Sequence, residues 1–135
     1  RPYHERLVIE LDVICRMGGD EFALILPETR HWAAAVKAEK LRKLIETHEF
    51  RNVVDETAPA ILISLSIGVA GYFPDMKRVE DFYQEADDVL YVSKGNGRNR
   101  VTVARPDVAK REAREALHKR RNRGDVSDDA IPSDV

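Results

Sequence analysis

A single cysteine, Cys15, stands among 135 residues, which excludes an intramolecular disulfide and a cysteine-based metal cluster. No run approaches the ~18 consecutive apolar residues of a membrane-spanning helix, and no positively charged leader precedes an apolar segment. An excess of one charge is also lacking. The 22 Lys and Arg are interspersed with 24 Asp and Glu, and a net charge of −2 gives no electrostatic case for nucleic-acid binding. The four histidines, His4, His31, His48 and His118, are spaced unlike a zinc site, and no serine sits in a nucleophile elbow. These absences lead to the expectation of a soluble, cytoplasmic chain of one domain at most, without membrane contact, whose 43% hydrophobic content suffices for a modest core.

What is present is concentrated at Gly18-Gly19-Asp20-Glu21-Phe22. Apolar, β-prone runs flank it, Val13 to Met17 before and Phe22 to Leu26 after, so the spacing predicts a hairpin that ends at Pro27. Glycine lacks a Cβ, so such a turn can take positive φ and can admit a bulky polyanion close to its backbone. Asp20 and Glu21 offer hard oxygen ligands of the kind Mg²⁺ prefers. A Gly-Gly-Asp turn alone reads more readily as a surface hairpin whose acids are merely solvated; the whole string and its company decide otherwise.

The remaining elements follow from periodicity. Thr29 suits an N-cap for a helix over about 30–47, with Ala35, Ala38, Leu41, Leu44 and Ile45 as the face toward a sheet and Trp32 as a packing residue. Residues 51–60 read as a loop. Ile61 to Ala70 is a nearly continuous aliphatic run, the mark of a central strand covered on both faces. A second helix over about 79–93 presents Val79, Phe82, Tyr83, Ala86, Val89, Leu90 and Tyr91, and Gly95 or Gly97 stops it before a short strand, Val101 to Val103. Phe22 is expected to anchor the hairpin in the core, and Cys15 to be a buried, inert thiol. Residues 105–135 read as a charged, flexible tail in which 109–121 can form a weakly anchored helix.

Three blocks together resemble one family: Arg16-Met17 with GGDEF, Ser64-Leu65-Ser66-Ile67-Gly68-Val69-Ala70, and the stretch from Ala86 through Lys94-Gly95-Asn96-Gly97-Arg98-Asn99-Arg100-Val101. In order and spacing they are similar to the GGDEF family, the diguanylate cyclases, over roughly residues 6 to 104. The resemblance implies an α/β (α+β) domain with a mixed sheet flanked by helices, like nucleotidyl cyclases and polymerase palms. It also implies an enzyme that condenses two GTP into cyclic di-GMP with release of pyrophosphate, working as a homodimer in which each domain holds one GTP. On this basis residues 1–104 are a partial GGDEF domain and 105–135 a tail.

The same resemblance implies site roles. Asp20 and Glu21 match the positions that hold Mg²⁺ or Mn²⁺ and act in catalysis, and Gly18 and Gly19 match the backbone that receives the triphosphate. Lys94 and Arg98 match cations that hold the phosphates, although a cation in a last turn also answers the helix dipole. Asp12 matches the aspartate of an inhibitory product site whose arginine position holds Ile9, and isoleucine has no donor fork to offer. The family's opening strand, with a further metal ligand and guanine contacts, has no counterpart in Arg1 to Asp12. The expectation is an N-terminally truncated piece, inactive alone, of a longer and active protein. The alternative is a non-catalytic GGDEF module that binds nucleotide or a protein partner and regulates a neighbouring domain.

Overall fold

The computed structural model describes residues 12–106 and 108–124. Its order is β1 (Val13–Arg16), β2 (Phe22–Ile25), α1 (His31–Thr47), β3 (Ile67–Val69), α2 (Val79–Gly95), β4 (Val101–Val103) and α3 (Val108–Asn122). Strand directions are mixed, as expected, but the described strands form two ladders: β1 and β2 antiparallel with Arg16 opposite Phe22, and β3 and β4 parallel with Gly68 opposite Thr102.

Parallel neighbours need a long crossover, and α2 supplies it between β3 and β4. The period-two alternation of these strands assigns one face to each helix. Ile67, Val69, Val101 and Val103 meet Ala34 and Ala38 of α1. Gly68 and Thr102 face α2, where Ser93 Oγ lies 2.6 Å from Thr102 Oγ1 and 3.0 Å from the Ile67 carbonyl, to which it donates. Ser93 is fully buried at 0% exposure. A Cβ built on Gly68 would stand 2.5 Å from the Leu90 nitrogen, so glycine is what lets α2 lie directly on β3.

Several expectations about packing are corrected. Thr29 does not cap α1. Its hydroxyl donates to the Pro27 carbonyl, and Arg30 is the N-cap, with no side-chain hydrogen bond. The buried residues of α1 are Ala34 and Ala38, Ala35 is half-buried, and Leu44 is exposed. Trp32, about 200° around the helix from Ala34, is 61% exposed and is not a packing residue. Phe22 is 65% exposed, because β2 pairs only with β1 and no described element covers that face. Cys15 is half-buried. The aliphatic run is a ladder strand only at Ile67–Val69; Ile61 to Ile63 are exposed apart from an antiparallel bridge between Phe50 and Ile61. Val79, Tyr83 and Tyr91 of α2 face outward, leaving Phe82, Ala86, Val89 and Leu90 half-buried.

Gly97, at φ 108°, ends α2: the Arg98 N–H bonds the Ser93 carbonyl at 3.0 Å, closing a Schellman motif. In the segment after residue 105, Val108–Asn122 is helical, and Lys77 reaches its Glu115 at 3.1 Å. Among the described residues no helix is long and apolar enough to cross a membrane.

Candidate functional site

The hairpin tip is a five-residue connection, Met17 to Glu21, closed by N–H groups of Met17 and Gly18 on the Glu21 carbonyl at 2.8 and 3.3 Å. Arg16, part of the matched block but given no role from the sequence, braces it. Its Nε donates to the Gly18 carbonyl at 3.1 Å and its Nη2 to the Gly19 carbonyl at 2.8 Å. The peptide plane opposes C=O to N–H, so the amides of Gly19 and Asp20 face away from the guanidinium. A cation two residues before a glycine pair is the signal that could have revealed this brace.

Gly18 and Gly19 are not at positive φ, contrary to the conformational half of their expected use. A Cβ on either would meet nothing within 4 Å among the described residues. Neither backbone strain nor protein packing therefore calls for glycine here. The bare Cα atoms leave room at the tip for close approach by another group.

Asp20 is exposed, and its carboxylate has no partner among the described residues. Glu21 turns to the end of α2, where Lys94 Nζ lies 3.2 Å from its Oε1. The fold thus brings Glu21 of the hairpin together with a last-turn cation 73 residues further along. Arg98 follows in the loop beyond α2, exposed and with a left-handed backbone at φ 62°; among the described residues its guanidinium has no partner. Two adjacent carboxylates suit Mg²⁺ or Mn²⁺ of the kind held by one or two acids together with water and phosphate oxygens. Among the described residues no group of three His, Cys, Asp or Glu forms a complete metal cage.

Asp12 does not join this cluster. It lies at the other end of β1, about 17 Å from the tip by strand rise, with its side chain at 0% exposure and bonded to Lys37 Nζ of α1 at 2.8 Å. Ile9 lies outside the described residues.

The sequence matches the family profile described as "Diguanylate cyclase, GGDEF domain" over residues 5–100. Among curated proteins it is 36% identical over 99 residues to diguanylate cyclase A of Treponema denticola, covering 73% of this chain and 26% of that protein. It is 38% identical over 94 residues to diguanylate cyclase DosC of Escherichia coli, covering 68% and 19%. The chain thus spans about a quarter or less of the length of these relatives. Among solved structures it superposes on the active GGEEF domain of a diguanylate cyclase from Vibrio cholerae with a TM-score of 0.61 at 28% identity, covering 75% of this chain and 61% of that one. For the GGDEF domain of DgcB from Caulobacter crescentus, solved in complex with c-di-GMP, the TM-score is 0.60 at 29% identity, covering 73% and 57%.

Proposed function

The chain belongs to the GGDEF family of diguanylate cyclase domains, and from that premise we propose that the protein carrying it joins two GTP molecules into cyclic di-GMP. In each of two steps the 3′ hydroxyl oxygen of one GTP attacks the α-phosphorus of the other. A phosphodiester forms, the bond to pyrophosphate breaks, and the hydroxyl proton passes to a base, for which the solvent-open Asp20 carboxylate is suited. Two copies facing each other would each supply one GTP.

The observation that carries this reading is the Lys94–Glu21 contact, an ion pair between the hairpin tip and the last turn of α2. Phosphoryl transfer is largely positioning and charge neutralisation. Lys94 and Arg98 would bind the outer phosphates, the outward amides of Gly19 and Asp20 would orient them, and the bare Cα atoms of Gly18 and Gly19 would admit them. Asp20 and Glu21 would hold Mg²⁺ or Mn²⁺, which when bound supplies charge neutralisation at the transferred phosphoryl group.

Because the chain spans 57–61% of the solved domains, turnover is expected of the full-length protein and not of residues 1–135 alone. Incubation of the full-length protein with GTP and Mg²⁺, followed by chromatography, should yield cyclic di-GMP. Asp20→Asn should cut the rate by about 100-fold or more. A full-length protein that binds GTP without forming product would instead be a nucleotide-binding module.

A further inference from the structure

Gly97, Arg98 and Asn99 are three successive residues with left-handed φ, 108°, 62° and 47°. Glycine adopts this conformation freely and asparagine tolerates it, but arginine does not favour it. Such an outlier persists only where its surroundings over-determine it. Three elements do so here. Ser93 of α2 accepts the Arg98 N–H at 3.0 Å, and Ser66, just before β3, accepts the Asn99 N–H on its hydroxyl at 3.2 Å. From α1, Arg42 Nη1 donates to Asn99 Oδ1 at 2.8 Å, and Asn99 Nδ2 donates to Glu46 Oε1 at 2.6 Å.

The α1 side of this clamp is itself fixed. Arg42, only 12% exposed, also donates to Glu46 at 2.9 Å and to both Glu39 oxygens at 2.8 and 3.0 Å. Both ends of the Asn99 amide are thereby committed, one to a cation and one to an anion.

We propose that Asn99 is a positioning residue, whose amide, locked between Arg42 and Glu46, holds the Gly97–Asn99 loop left-handed so that Arg98, in the loop that follows the last turn of α2, presents its guanidinium to the triphosphate. The proposal rests on the reading of Lys94 and Arg98 as phosphate ligands. Asn99 is remote in sequence from α1, yet it makes the end of α1 part of the phosphate site without touching substrate.

The clamp can be inverted without changing net charge. Asn99→Asp alone sets two carboxylates against each other. Adding Glu46→Gln restores a hydrogen bond with donor and acceptor exchanged, and both side chains still accept from Arg42. Calorimetric titration of the full-length protein with Mg²⁺ and a non-hydrolysable GTP analogue, and separately with guanosine, reads the phosphate contribution. Asn99→Ala and Asn99→Asp should weaken the analogue about tenfold and leave guanosine unchanged. The double variant should recover to within about threefold of the unaltered protein.

If Arg98→Ala weakens the analogue while both Asn99 variants bind it normally, Asn99 is only a fold contact and the inference falls alone. The same holds if thermal midpoints drop with affinity unchanged, or if the double variant stays as weak as Asn99→Asp. If the unaltered protein shows no phosphate-dependent binding, or Arg98→Ala leaves it intact, the reading of the site falls and takes the inference with it.

Discussion

Lys94 Nζ sits 3.2 Å from Glu21 Oε1, with both side chains part-exposed, so the end of α2 and the hairpin tip meet through one ion pair in contact with solvent. Such a pair adds ~0–1 kcal/mol to stability. Its value is positional, because it keeps a cation at Glu21, where under the proposed function phosphate would compete for it.

Lys94→Ala or Arg98→Ala in the full-length protein should therefore raise the Michaelis constant for GTP or lower turnover by about tenfold or more, as charge-assisted contacts of ~1.5–3 kcal/mol require. Thermal midpoints should hardly move. A clear loss of thermal stability with unchanged kinetics would mean that these cations only cap α2.

Two glycine substitutions should separate folding from function. Gly68→Ala drives a Cβ into the α2 backbone at Leu90, and overpacking of this kind costs ~1–3 kcal/mol, or roughly 5–15 °C in melting temperature. Gly19→Ala meets nothing within 4 Å and has no left-handed φ, so the melting temperature should stay put while GTP turnover drops. Unimpaired turnover in Gly19→Ala would remove the case for close ligand approach at the tip.

The acid limb of stability should carry the mark of α1. The hydrogen bond from Arg42 lowers the pKa of Glu39, and those from Asn99 and then Arg42 lower that of Glu46, both from an ordinary 4.5. A folded-state value below the unfolded one means that the contribution is full above 4.5 and is lost as pH falls through the lowered value. Both groups are solvent-accessible, so the effect is modest. Denaturant titrations from neutral pH downward should show the midpoint flat above pH 4.5 and falling below it, less steeply in Glu46→Gln. An identical acid slope in that variant would show that the network does not contribute.

Product should not inhibit through the base of the hairpin. The Asp12 side chain is buried and already engaged by Lys37, and the residue three before it is Ile9, without a guanidinium. Added cyclic di-GMP should leave initial rates unchanged. Micromolar inhibition that disappears on Asp12→Ala would contradict this.

The hairpin, both main helices and the closing strand were legible in the sequence, because each is written locally in its periodicity, its glycines or its turn. Their faces were less legible. Trp32, Phe22, Tyr83 and Tyr91 carry the hydrophobicity that identifies core positions, yet they are exposed, since burial depends on which elements stand opposite and not on the residue. At the site, Asp20, Glu21, Lys94 and Arg98 were readable as a motif, but the Lys94–Glu21 contact spans 73 residues of chain and has no local signature. Arg16 and Asn99 were hidden for another reason. Their roles are hydrogen bonds to backbone carbonyls and between helix and loop, which neither composition nor period reports; for Arg16 only its place two residues before the glycine pair hints at the brace.

The bare Cα of Gly68 has a consequence for how this domain can diversify. Main chain rests on main chain where α2 crosses β3, so the spacing between them is independent of the side chains that α2 carries on its outer face. Val79, Tyr83 and Tyr91, all outward, are free to drift toward new binding preferences without displacing Lys94. The arrangement separates an outer face open to change from the Lys94–Glu21 contact, whose position follows from how α2 is seated on β3.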